Sequence, residues 1–120
     1  MNSPPADLAL ALDVPSHQAL TDLMLRLPDS LRWCKVGLEL FCAHGPSIIE
    51  SLRNRNKQIF LDLKLHDIPR TVERAAQAAA RHGVGLLTIH ASGGRAMIQA
   101  AVEGARSSGD GTTKIIAVTA

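Results

Sequence analysis

Two hydrophobic rhythms alternate along the chain. Short apolar runs predict buried strands: "LALALD" (Leu8 to Asp13), "LRWCKVG" (Leu31 to Gly37), "KQIFLDLKL" (Lys57 to Leu65), "VGLLTIHA" (Val84 to Ala91) and "KIIAVTA" (Lys114 to Ala120). Between them, apolar residues recur at helical spacing. "HQALTDLMLRL" follows Ser16, a good N-cap. "LELFCAHG" predicts a helical turn stopped at Gly45, and Pro46 opens a helix through about Arg55. "IPRTVERAAQAAARHG" predicts a helix with Pro69 in its first turn and Gly83 as its stop. "SGGRAMIQAAVEGARSS" is led by glycine and then helical, and "GDGTT" is a turn.

The resulting β-α-β-α-β-α-β-α-β order has units of about 25–30 residues, which implies a parallel sheet with right-handed crossovers. Two architectures fit: a doubly wound open sheet, or the first half of a (β/α)₈ barrel. A complete barrel takes roughly 200 residues or more. The sequence has 120 residues and reaches its fifth strand at its end. The expectation is therefore an α/β fold in which residues 1–120 supply strands 1 to 5 of a single (β/α)₈ TIM barrel domain.

Side chains alternate across a strand, so each strand has an inner and an outer set. Leu8, Leu10 and Leu12 form one set of the first strand, and Ala9, Ala11 and Asp13 the other. Trp33 and Lys35 share a face, as do Phe60, Asp62 and Lys64, and Thr88 and His90. The bulky aliphatics would face the helices, and the polar residues would line the barrel near its C-terminal mouth. That is where barrels of this class place their chemistry. Asp13, Lys35, Asp62 and Lys64 thereby converge from three neighbouring strands. A mixed array stays ionised where a lone buried charge would neutralise. A structural ion-pair network is the alternative, but buried ion pairs stabilise weakly, and a functional site explains them better. Asp67 lies just past the third strand, where it is either an N-cap for the Pro69 helix or part of the site.

Composition narrows the field further. Hydrophobic residues make up 46% of the sequence, and Trp33, Phe41 and Phe60 are its only aromatics of the Phe, Trp and Tyr type. A core of small aliphatics suits helices packed closely on a sheet. The net charge of +2 is scattered, without a basic run interleaved with aromatics, which argues against a nucleic-acid partner. "MNSPPADLALAL" lacks a basic n-region and a long apolar core, so it reads as a short flexible lead rather than a signal peptide or membrane anchor. Cys34 and Cys42 form no C-x-x-C, and are expected to be reduced, partly buried thiols of a cytoplasmic protein. His66 and His90 have no matching ligand pair at metal-binding spacing. "ASGGRA" (Ala91 to Ala96) reads as a tight strand-to-helix turn rather than a phosphate loop.

"LALDVP", "KVGLELF", "FLDLKLHDIPRTV" and "TIHASGG" together resemble the orotidine 5′-phosphate decarboxylase family, from about Leu8 to Ala120. The central pattern is D-x-K-x-x-D, here Asp62, Lys64 and Asp67. The resemblance implies a (β/α)₈ barrel without metal or organic cofactor, acting on a small-molecule nucleotide. It implies that Asp13 bonds the substrate ribose, and that Lys35 sits at the ribose and holds the neighbouring carboxylate. Asp62 would lie beside the substrate carboxylate, and Lys64 would protonate the pyrimidine C6. Asp67, Ile68 and Thr71 would reach the active site of a partner subunit, which implies a homodimer. In that family the pyrimidine-contacting and phosphate-gripping loops follow the fifth strand. A second reading is thus a non-catalytic half-barrel fragment. A third is a magnesium-dependent relative acting on 3-keto-L-gulonate 6-phosphate, which shares D-x-K-x-x-D. That relative ends its second strand in an acidic residue, where this sequence has Lys35, a cation that would repel Mg²⁺.

Overall fold

The computed structural model describes residues 6–119. Five parallel strands lie side by side in sequence order: β1 (Ala9–Ala11), β2 (Trp33–Gly37), β3 (Gln58–Leu65), β4 (Leu86–His90) and β5 (Lys114–Val118). Helices α1 (His17–Leu25), α2 (Leu38–His44), α3 (Ser47–Arg53), α4 (Pro69–Arg81) and α5 (Arg95–Arg106) fill the connections. The unbroken order decides between the two candidate architectures. Successive right-handed crossovers in one direction put every helix on the same face, as in a barrel wall, whereas a doubly wound sheet reverses its order. The five strands form a parallel β/α wall of the kind that makes up part of a (β/α)₈ barrel.

Local chemistry sets the element ends. The Ser16 side chain accepts a hydrogen bond from the Ala19 amide at 3.1 Å, capping α1. Pro69 opens α4 in the first turn, and Gly83 follows that helix with φ +78°. A 3₁₀ turn (Ala91–Gly93) joins β4 to α5 through Gly94 at φ +92°, so "ASGGRA" is a turn that needs its glycine. Lys57 is buried, and its ammonium donates to the Pro28 and Leu31 carbonyls at 2.8 and 2.5 Å, tying the loop before β2 to the start of β3.

The outer face of the sheet carries the core. Leu12, Cys34, Val36, Ile59, Leu61 and Leu87 are buried with Leu52 of α3 and Leu20 of α1. Helices α4 and α5 pack closely because Gly104 meets the Glu73 carbonyl with no room for a Cβ.

Four expectations need correction. Leu8 is 79% exposed, because regular pairing begins only at Ala9. Asp67 is not an N-cap: Ile68 takes that place in extended backbone, and the Asp67 carboxylate accepts from the adjacent Ile68 amide at 2.7 Å. The residue before a proline avoids helical backbone, which shifts the cap by one position. The thiols differ: Cys34 on the core face of β2 is buried, but Cys42 on α2 is exposed. Burial pushes the Cys34 thiol up from its ordinary range, against a weaker pull from Lys57, so it is the less reactive form. Finally, β3 is not a uniform ladder near Lys64. The flexible lead expected at the N-terminus lies in residues 1–5, outside the described residues, apart from its exposed residues 6–8.

Candidate active site

The irregularity in β3 builds the site. Leu61 pairs with Leu87, but Leu65 pairs with Ile89, so β3 carries two more residues than β4 over the same stretch. Lys64 absorbs the excess with φ +48°, left-handed backbone that a side-chain-bearing residue adopts only when its surroundings enforce it. The side chain of Lys64 lines the cavity at this strand end.

There the charges meet. Lys64 Nζ donates to Asp62 Oδ2 at 2.8 Å, and Lys35 Nζ from the neighbouring strand stands 3.7 Å from the same oxygen. The other oxygen, Oδ1, accepts from the Thr88 hydroxyl at 2.8 Å. That hydroxyl in turn accepts the Lys64 backbone amide at 2.9 Å. The Asp62 side chain is 11% exposed, against 30% for Lys35 and 47% for Lys64. Burial pushes the Asp62 carboxyl up. Hydrogen bonds from Lys64 and Thr88, and the charges of Lys64 and Lys35, outweigh it and hold the group below its ordinary range. The carboxylate is therefore ionised near neutral pH.

These groups open into a cavity of about 890 Å³ at the C-terminal ends of β1 to β4, lined by Asp13, Lys35, Asp62, Lys64 and His90. Asp13 stands over the end of β2, where its Oδ1 would lie 3.8 Å from a Cβ on Gly37. Of the four charges picked out from the strand ends, Lys35, Asp62 and Lys64 are in contact, and Asp13 lines the same cavity. The other three candidates do not join them: Asp67, Ile68 and Thr71 are exposed and lie away from the cavity lining. The His66 and His90 rings lie tilted to each other by 48°, with centroids 5.5 Å apart. Among the described residues no three His, Cys, Asp or Glu side chains form a metal-binding group.

Thr88 escaped the sequence reading as a site residue. It is 2% exposed in the run "LLTIH", flanked by the fully buried Leu87 and Ile89. A hydroxyl in such a run needs a partner, and that need was the available signal. Its partners on β3 depend on the bulge, which strand periodicity does not reveal.

Comparison with known proteins gives the array a setting. The model of the orotidine 5′-phosphate decarboxylase / HUMPS family matches residues 6–120. An orotidine 5′-phosphate decarboxylase of Nostoc is 50% identical over 116 residues, 93% of this chain and 48% of the relative. The enzyme of that name from Cutibacterium acnes is 47% identical over 110 residues, 92% of this chain and 46% of the relative. The chain thus spans about half the length of the curated relatives it matches. The crystal structure of orotidine 5′-phosphate decarboxylase from Lactobacillus acidophilus superposes with a TM-score of 0.84 at 38% identity, over 95% of this chain and 53% of that one. With its barrel-type strand order, its D-x-K-x-x-D strand end and these likenesses, the chain belongs to the orotidine 5′-phosphate decarboxylase / HUMPS family.

Proposed function

We propose that this charge array serves the decarboxylation of orotidine 5′-phosphate to uridine 5′-phosphate, a step of pyrimidine biosynthesis. One observation carries the reading: a single ionised carboxylate, Asp62, is held by two ammonium groups at the mouth of a parallel sheet. Loss of carbon dioxide breaks the bond from C6 and leaves its electron pair on a ring carbon. Lys64 is the cation placed to stabilise that pair and then donate its proton to C6, leaving a neutral amine that solvent reprotonates. Asp62 lies beside the substrate carboxylate; two like charges ~4 Å apart repel by about 4 kcal/mol at an effective dielectric of 20. Release of carbon dioxide removes that repulsion. Lys35 keeps Asp62 ionised and, with Asp13, bonds the ribose.

A magnesium-dependent sugar-phosphate reaction fits these residues poorly. The Asp62 oxygen that would face a divalent ion is already flanked by Lys64 and Lys35, and both repel such an ion.

Asp67, Ile68 and Thr71 complete the proposal as residues lent to a partner subunit's site in a homodimer. Ile68 is 64% exposed, which favours a role across an interface over one in this chain's own core. Among the described residues no helix is long and apolar enough to cross a membrane; we place the protein in the cytoplasm.

The test uses the product of the whole reading frame that contains these residues, because the relatives are about twice as long. Absorbance loss of orotidine 5′-phosphate reports turnover. Lys64→Ala is expected to lower kcat by at least about a thousandfold in a folded protein, since both charge stabilisation and proton donation disappear. Substantial turnover by that variant would refute the role. Co-expression of Lys64→Ala with Asp67→Ala, each inactive alone, should restore about a quarter of wild-type activity, because half the dimers then contain one intact shared site. No recovery would refute the shared-site arrangement.

A further inference from the structure

We infer that Thr88 is a positioning residue for the Asp62–Lys64 pair, its one hydroxyl fixing both the carboxylate orientation and the bulged backbone of β3. The inference rests on the decarboxylase reading for its catalytic consequence, but its structural content stands on this chain alone.

Both capacities of the hydroxyl are used. It donates its proton to Asp62 Oδ1 at 2.8 Å and accepts the Lys64 amide at 2.9 Å. The first bond occupies one carboxylate oxygen, so the other is turned to the two ammoniums at 2.8 and 3.7 Å. The second satisfies a backbone donor that the bulge has taken out of the ladder between β3 and β4. Lys64 stands at φ +48°, a conformation that persists where neighbours over-determine it, and the Thr88 bond is one such constraint. Thr88 itself is rigid. It is β-branched, 2% exposed, and carried on the regular strand β4 between Leu87 and Ile89, both buried completely. The groups around Asp62 are Thr88 from β4, Lys35 from β2 and Lys64 from β3 against the carboxylate, and Asp13, His17, Glu39, His44 and His90 lining the cavity it opens into. Thr88 is the uncharged member of this set, so it aims the carboxylate without adding to the field.

The test compares Thr88→Val, which keeps the shape and removes both bonds, with Thr88→Ser, which keeps the hydroxyl. Two measurements need no turnover: carbon-13 NMR titration of the Asp62 carboxyl and hydrogen exchange of the Lys64 amide. Thr88→Val should move the Asp62 titration to higher pH and expose the Lys64 amide to exchange, and Thr88→Ser should restore both. With orotidine 5′-phosphate, Thr88→Val should lower kcat about 10- to 100-fold with KM little changed, as expected when reacting groups are misplaced by a fraction of an ångström to an ångström. Thr88→Ser should recover most of that loss. Where valine prevents folding, Thr88→Ala is read by the same measurements. An unaltered Asp62 titration and an unaltered Lys64 amide in the hydroxyl-free variants would overturn the inference, as would a serine variant as impaired as the valine one. Absence of turnover in the wild-type product of the whole reading frame would instead overturn the decarboxylase reading, with the NMR and exchange results still deciding the role of Thr88.

Discussion

Ile59 and Leu61 in the first half of β3 are buried against the helices, in register with β2 and β4. Asp62 and Lys64, only a few residues on, are charged, more exposed, and set on backbone that leaves the register. One strand thus contains a part shaped by packing and a part shaped by electrostatics. The first part is stabilised by area removed from water, and its regularity lets facing side chains interlock. The second gains little stability from its ion pairs, since desolvation offsets most of the attraction. What it gains is a fixed arrangement of opposite charges. The comparison teaches that rigidity at the mouth is borrowed from the packed part below it.

Substitutions should separate the two parts. The largest effect on stability is expected in the packed part, at Leu87, which is fully buried. Leu87→Ala should destabilise by about 2–5 kcal/mol, as loss of apolar contact adds to the cavity left behind. Urea unfolding measures it, and a change under 1 kcal/mol would mean that the core re-collapses. Next comes Gly104, where a Cβ has no room against the Glu73 carbonyl. Gly104→Ala should cost about 1–3 kcal/mol through separation of α4 and α5. Alanine's better helix propensity returns less than about 1 kcal/mol of this. A more stable alanine variant would contradict the close packing of these helices.

The smallest effect belongs to the charged part. Because the Asp62 carboxyl is held below its ordinary value of 3.8 in the fold, its contribution is fully present above that value. It fades as pH falls through the lower folded value. The stability difference between the wild type and Asp62→Asn should thus be constant from pH 7 to about pH 5 and narrow below about pH 4. A difference that changed mainly between pH 5 and 7 would place the titration on another group.

Much of this is legible in the sequence, for a physical reason. Period-two and helical patterns are local, and strand ends marked by Asp13, Lys35 and Asp62 follow from them once a sequential parallel sheet is assumed. The same patterns hid the bulge, because alternation presumes one residue of β3 for each residue of β4. Strict alternation places Lys64 at the mouth, but the backbone abandons that alternation there. Alternation puts Thr88 on the inner face, yet its partnership with a neighbouring strand depends on register, a non-local property. Asp67 shows the converse: its chemistry suits a cap, but Pro69 restricts Ile68 to extended backbone, and geometry prevailed over side-chain preference. Cys42 differs from Cys34 because α2 presents it to solvent, an orientation that a short helix leaves ambiguous in sequence.

The left-handed turn at Lys64 sets protein engineering against catalysis at that position. Glycine would sit there without steric penalty, relaxing the chain by on the order of 1–2 kcal/mol relative to a residue with a Cβ. A library screened only for heat resistance would accordingly favour glycine at this site, and each such winner would lack the ammonium.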